Sequence, residues 1–463
     1  MIRCPEVLRV LRTIAVALGL GSLASLASLR GGAAHANPAG SVPTAGEAVH
    51  AEADYEYDLD RAVITREHAG DPDTDPQAAL PRRRELEFHQ SRQLVTPSVE
   101  LGVYRGARRS LWVSFAAPIV LAQSRELDLA GGADRATTSS FVDGILPANG
   151  FDARNPGALP AGNLVFRGVN RSGVQELRAG LGFAPMIQAR DDTQPTWKLG
   201  AELGLSIGPA MRFDAVDPGK QTGVASGVDT LRLWTSVDRR YRYFESWFEA
   251  SWQVPIYTRA GGLFTDPGFG ASKVAPGQTA GTSFGLEAYL YDDPATGNRL
   301  GVELGSRITA QFEGRGYSEM WEVFALAGDR RTAGPLVLDG DPTQPGTQAV
   351  SHPGITNIEN YLETTARLTV RAKLGARFQL AAFGEVIWKT DHVISFTDNG
   401  IDLPTCPTGA PRCETADNNV VNAGTQEVDP LHVPLIDLVG HRYHAEDSRG
   451  FVVGAQAQVL FDL

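Results

Sequence analysis

The triplet His89-Gln90-Ser91 lies in "FHQSRQ", where strand alternation sets His89 and Ser91 on one face, spaced for an imidazole to contact a hydroxyl nucleophile. In "GDPDTDP", Asp71, Asp73 and Asp75 are spaced as Ca²⁺ ligands often are, but neither the following glycine nor a bidentate Glu stands at its usual distance. A solvated acidic loop is the expectation there. His432, His441 and His444 near Glu446 could hold Zn²⁺ or Ni²⁺ if their loop folded back; surface histidines are expected instead, with no metal and no cofactor. Cys406 and Cys413, in the Pro/Gly-rich "CPTGAPRC", are expected to form a disulfide that stiffens a loop.

The elements that position these residues repeat one pattern. "TWKLGAELGLSIG" sets Trp197, Leu199, Ala201, Leu203, Leu205 and Ile207 against Lys198, Gly200, Glu202, Gly204 and Ser206. "NRLGVELGSRITAQFE" and "NYLETTARLTVRAKLG" repeat this period of two, the signature of a strand with one apolar and one polar face. Such runs exceed the ~5–6 residues of a globular strand and match the ~9–11 needed to cross a bilayer at a tilt. Strands are expected over 54–67, 85–105, 110–130, 172–187, 196–212, 229–239, 242–257, 279–293, 298–313, 360–374, 378–396 and 451–463. Short connections ("GARR", "DDTQ", "RRYR", "PATG", "GAR") alternate with long ones at 68–84, 131–171, 213–228, 258–278, 314–359 and 397–450. That sorting predicts an all-β fold, a transmembrane antiparallel up-and-down β-barrel of about twelve strands with short periplasmic turns and long outer loops.

At this level the chain resembles Gram-negative outer-membrane β-barrel proteins as a broad class. Their last strand carries an assembly signal, a glycine followed by alternating apolar residues up to a terminal aromatic. Gly454, Val459, Phe461 and Leu463 match it, with Leu463 in place of the usual Phe. The resemblance implies the barrel-assembly machinery and outer-membrane lipid as partners and the outer membrane of a Gram-negative bacterium as the location. The N-terminus agrees: Arg3, Arg9 and Arg12, an apolar stretch from Ile14 to Leu29 and the small-x-small Ala34-His35-Ala36 read as a cleaved signal peptide over 1–36. A short periplasmic segment over 37–53 and a barrel over 54–463 then follow. Removing Arg3, Arg9, Arg12, Arg30 and Glu6 takes the formal charge of −12 three units further negative, which argues against a nucleic-acid partner.

Lipid-facing residues must be apolar, so the polar set is expected to line the lumen: Glu100, Glu176, Arg178, Lys198, Glu202, Arg232, Glu245, Glu249, Glu287, Glu303, Arg307, Glu363, Arg367, Arg371, Glu385 and Lys389. Trp197, Trp234, Tyr241, Tyr243, Phe244, Trp247 and Phe248, near the turns, read as an aromatic girdle at the periplasmic interface. A polar lumen points to a passive or loop-gated channel or transporter for small polar solutes, with cations favoured by the acidic excess. A closed structural or assembly barrel that binds partners through its outer loops is the alternative. The expectation is of no enzyme, with one further alternative. An H-Q-S triplet on a twelve-stranded barrel resembles the outer-membrane phospholipase A family, in which an Asn orients the His. No Asn lies between Asn37 and Asn149, so that partner would come from another strand, and Arg92 stands where the family has Asn after the Ser.

Overall fold

The computed structural model describes residues 49–68, 81–105, 110–259, 261, 263–266, 270–271, 275–339, 348–396 and 433–461. Among them twelve long strands run up and down: β1 (Val49–Glu67), β2 (Arg82–Arg105), β3 (Ser110–Ala116, resuming after Pro118 as Ile119–Leu129) and β4 (Arg171–Val174, resuming as Leu177–Met186). β5 (Thr196–Leu205), β6 (Val228–Tyr241), β7 (Phe244–Thr258) and β8 (Thr279–Asp293) follow. Then come β9 (Asn298–Gln311), β10 (Tyr361–Leu374), β11 (Phe378–Lys389, resuming as His392–Ser395) and β12 (Tyr443–Phe461). Each strand pairs antiparallel with its sequence neighbours, and β1 pairs with both β2 and β12. The sheet therefore closes on itself and leaves no edge, the only arrangement in which strands satisfy every backbone group in hydrocarbon. The tight turns depend on glycine where φ is positive: Gly297 between β8 and β9 takes +71° and Gly375 between β10 and β11 takes +66°.

Exposure separates the two faces. Leu304 is 66% exposed while its neighbour Glu303 is 5% exposed, and Tyr55, Val103, Leu368 and Val453 are likewise outward and uncovered. A continuous apolar outer belt is what bilayer hydrocarbon requires, so this is a membrane-spanning barrel of the outer-membrane type. On β1 the outward residues Ala51, Ala53, Tyr55, Tyr57 and Leu59 give way to Arg61. From Val49 to Leu59 the strand rises about 33 Å at ~3.3 Å per residue, or about 25 Å of height at a tilt of ~40°.

Beyond that level the polarity of the two faces inverts. Inward positions change from Asp58 and Asp60 to Ala62 and Ile64, while outward positions carry Arg61, His89, Glu126 and Arg449. β12 therefore starts at Tyr443, eight residues before the expected start at Phe451: in "YHAEDSRG" the charged side chains face water and the apolar ones pack inward. β1 likewise starts at Val49, inside the segment expected to precede the barrel, and β5 ends at Leu205, short of the expected 212. Within β12, Gly454 faces inward beneath the Phe383 ring and Val459 and Phe461 sit on the outer face; Leu463 lies outside the described residues.

The belt makes a direct prediction. Leu304→Arg sets a cation against the bilayer midplane and should cost about 2–4 kcal/mol, read as a lowered urea midpoint and a loss of the heat-modifiable band. An unchanged midpoint would mean this face does not meet lipid.

Candidate functional site: a capped polar lumen

The bore divides into a filled outer half and a polar inner half. In the outer half, the connection between β9 and β10 forms helix α2 (Trp321–Ala327), all seven of whose residues are buried; the shorter helices α1 (Ser139–Val142) and α3 (Pro434–Asp437) come from other outer loops. Met320, Val323 and Phe324 pack against the inward wall residues Ile64, Leu86, Phe88 and Leu127 and against Phe141, Phe166 and Phe396 of the surrounding loops. Phe324 sits at the centre, edge-on to Phe396 at 5.2 Å and to Tyr443 at 5.5 Å. Wall and loops thus share one apolar core, and the outer mouth is closed by the chain's own loops.

Three buried arginines on the inner wall tie this cap in place. Arg171 on β4 donates to Glu322 of α2 at 2.6 Å and to the carbonyls of Gln221, Gly223 and Arg212, so one guanidinium holds two loops. Arg125 on β3 donates to Gln90 and to the Ser318 carbonyl, and lies over the Trp321 ring. Arg66 on β1 reaches Asp143 at 2.6 Å and the carbonyls of Leu435 and His441. Each satisfies several acceptors that the packed loops would otherwise leave buried and unpaired.

Below the cap, the residues expected in the lumen lie on the inward face and divide into two walls. The β8–β11 side is neutralised. Arg371 pairs with Glu287 at 2.6 Å and Glu303 at 3.3 Å, Arg367 with Glu385 at 3.0 Å and Lys389 with Asp60 at 2.7 Å. Glu363 is buried and Arg307 half-buried on the same face. At the β6–β8 side, Arg232 pairs with Glu249 at 2.6 Å, and Glu245 accepts the Tyr289 hydroxyl. Lys198 pairs with Asp238 at 3.2 Å and Arg178 with Glu176 at 2.6 Å. The first strand adds a column absent from the expected set: His50, Glu52, Asp54, Glu56, Asp58 and Asp60. Its alternation is masked in sequence because the outward partners include Tyr55 and Tyr57, which read as amphipathic rather than apolar. Arg92, inward on β2 and paired with Asp58 at 2.8 Å, is also absent from that set; its outward neighbours Ser91 and Gln93 are polar, so no apolar face marks the alternation there.

Trp234 and Trp247 correct the girdle expectation. Both face the lumen: Trp234 shares its face with Arg232 and Ser236, and Trp247 with Glu245 and Glu249. They lie flat because each crosses a glycine on a neighbouring strand. A Cβ on Gly200 would collide with the Trp234 indole, one on Gly285 with Trp247, and one on Gly182 with Trp112. Tyr241, Tyr243, Phe244 and Phe248 do face outward near the turns, and Trp197 shares their face through its pairing with Val237.

The remaining candidates fall elsewhere. His89 and Ser91 share the outer face of β2; His89 Nε2 lies 3.3 Å from Asp128 on β3, whereas Ser91 Oγ lies 2.8 Å from Ser124 Oγ, so the pair makes no mutual bond. His444 is not a surface histidine but is buried, 2.8 Å from Glu67, and Glu446 pairs with Arg82. Asp71, Asp73, Asp75, His432, Cys406 and Cys413 lie outside the described residues. Among the described residues no three His, Cys, Asp or Glu side chains converge on a metal position.

No family model matches this chain, and no curated protein does. Similar solved structures include an outer membrane channel from Pseudomonas putida F1, at 10% identity and TM-score 0.38 over 91% of this chain and 98% of that one. A Pseudomonas aeruginosa FadL homologue gives 9% identity and TM-score 0.31 over 89% and 90% of the two chains. The β domain of the Bordetella autotransporter BrkA gives 9% and 0.35 over 89% and 99%. These values are too low to transfer a role, and the functional reading rests on the geometry above.

Within the cap, His352 is fully buried against the Phe396 ring at 4.0 Å, and its Nδ1 accepts the Gly354 N–H at 2.9 Å. Burial, with Arg315 nearby, pushes its pKa well below the ordinary histidine value. A histidine held neutral in the folded state favours folding above its unfolded pKa of ~6.5 and loses that stability as pH falls below it. Protection factors of the α2 amides, corrected for the pH dependence of intrinsic exchange, should therefore fall between pH 7.5 and pH 5. His352→Asn, which keeps an acceptor for Gly354, should flatten the dependence; an equally steep profile would place the titration elsewhere.

Proposed function

We propose that this chain is an outer-membrane channel for small polar solutes, favouring cations, whose outer mouth is shut by its own loops until the cap moves. One observation carries the reading: the inner half of the bore is lined by charges and by indoles laid flat over glycines, while the outer half is filled. A barrel built only for rigidity has no need to flatten its largest side chains against the wall. The latch is the buried Arg171–Glu322 pair. Removing a buried partner costs ~3–5 kcal/mol when the other charge is left alone, but in Glu322→Gln the Arg171 guanidinium keeps its carbonyl acceptors. That substitution loosens the cap by removing the counter-charge of Arg171 while leaving its hydrogen bonds to the loop carbonyls in place.

Refolded into a planar bilayer under a salt gradient, the wild type should show rare, cation-preferring openings. Glu322→Gln should raise the open probability several-fold at unchanged unitary conductance. No current from either protein, both stably inserted, would favour a closed barrel acting through its outer loops.

A second reading is favoured by the His89–Asp128 contact at 3.3 Å, which gives the histidine a carboxylate orienter from the neighbouring strand. Rotation of Ser91 away from Ser124 would bring a hydroxyl to that histidine at the outer edge of the apolar belt, where a phospholipid ester lies. Phospholipid hydrolysis by the refolded barrel that disappears in Ser91→Ala, with the fold retained, is the expected result. Equal release by the two proteins would dispose of the enzyme.

A further inference from the structure

Near the short-turn end the inner half of the bore opens into a cavity between β1 and β6, walled by Glu52, Asp54, Glu100, Glu202, Trp112 and Trp234. The rows of the sheet bring these together. Glu100 pairs in register with Ser114, which pairs with Gly180, which pairs with Glu202, and the next row contains Trp112, Gly182, Gly200 and Trp234. The two indoles stand 6.5 Å apart at 45°, each lying on a glycine; Trp112 is 3% exposed and packed against Ala184 and Ile187, so the half-buried Trp234 ring is the one that the cavity reaches.

Charge in this cavity is not balanced as it is on the opposite wall. Its two arginines already have partners outside the lining: Arg178 holds Glu176 and Arg232 holds Glu249, both at 2.6 Å. Glu52 and Asp54 stand two residues apart on one face of β1 and are hydrogen-bonded to each other, so the pair shares a proton. Glu52 accepts the amides of Gln456 and Gln458, and His50 lies between Glu52 at 3.8 Å and Glu100 at 3.3 Å. Glu202 has neither a hydrogen bond nor an ion pair among the described residues. A metal ion would need several carboxylates converging at one point, which the described residues do not provide. An indole face beside the carboxylate of Glu202 suits a different guest, because a ring face attracts a soft, weakly hydrated cation while the acidic lining supplies long-range attraction.

We propose that this cavity binds a small organic cation, an alkylammonium or guanidinium group, seated on the Trp234 indole, which Trp112 backs, with Glu202 as counter-charge. The inference deepens the channel reading by naming the solute class, and it rests on that reading for the solute's route to the site.

The test is a titration of the refolded barrel in detergent with choline chloride, followed by tryptophan fluorescence and by calorimetry, with potassium chloride at equal ionic strength as the control. Saturable choline binding is expected, weakened at least tenfold in both Glu202→Gln and Trp234→Leu and largely retained in Trp234→Phe. Glu87→Gln, on the outer face, should bind as the wild type does. Absence of saturation in a heat-modifiable wild type would overturn the proposal. So would equal competition by potassium, or equal affinity in Glu202→Gln and Trp234→Leu. Binding without bilayer current would remove the channel and leave the site, whereas current without choline binding would do the reverse.

Discussion

Hydrocarbon offers no partner to a charge or to an unpaired backbone group, and every level of this structure follows from that. The first consequence is closure, with β1 hydrogen-bonded to β12. The second is the assignment of faces: a strand such as β9 can carry Glu303 and Arg307 only because Leu304 and Ile308 occupy the side that meets lipid. Once the polar set is forced inward, the lumen must either neutralise it internally or keep it hydrated. The two walls of the bore take these two courses. On the β8–β11 side, Arg371, Arg367 and Lys389 cancel their acids pairwise. On the β1–β6 side, carboxylates outnumber their cations and the wall stays open.

The same constraint ends at the rim, and the structure changes character there. Above Leu59 the outside is water and the inside is protein, so arginines move outward and Ile64, Leu86 and Phe88 turn inward to meet α2 and its neighbouring loops. The strands therefore serve two solvents in succession along one length. A cap assembled from several distant loops brings many backbone polar groups into the bore. Arg66, Arg125 and Arg171 resolve that difficulty by supplying donors from the rigid wall, each reaching at least one carbonyl as well as a side chain. Anchoring the cap through a few multivalent side chains confines its coupling to the wall to a few points. Within that cap, Asp214, Asp329 and Arg331 form an outlying ionic cluster, where hydrogen bonds to Arg331 and to backbone amides hold both carboxyls below their usual range.

Flattened indoles complete the division of labour. A tryptophan directed into a narrow barrel would obstruct it, and the three glycines beneath Trp112, Trp234 and Trp247 remove the Cβ atoms that would force it there. Because the glycines sit on neighbouring strands, the device depends on register: a slip of one residue would set a side chain under each ring and turn the charges to lipid. Register, bore width and the faces that line the lumen are in this way one property.

The period-two pattern, the sorting of short and long connections and the polar set from Glu100 to Lys389 were all legible in the chain, because lipid imposes an identical rule on every strand. The rule also explains what was illegible. The start of β12 at Tyr443 is hidden because beyond the belt the rule reverses, and an inverted alternation looks like a loop; that of β1 at Val49 is hidden because Ala51 and Ala53, its first outward residues, are too small to mark an apolar face. Trp234 and Trp247 resembled girdle residues because composition near a turn does not tell which face a ring takes; cross-strand register does. Likewise the closure of the bore by α2 and the surplus of carboxylate around Trp112 and Trp234 depend on residues tens to hundreds of positions apart. Local chemistry decided that there would be a barrel with a polar interior. Which charges cancel, which stay open and what seals the mouth were decided only when closure brought those residues together.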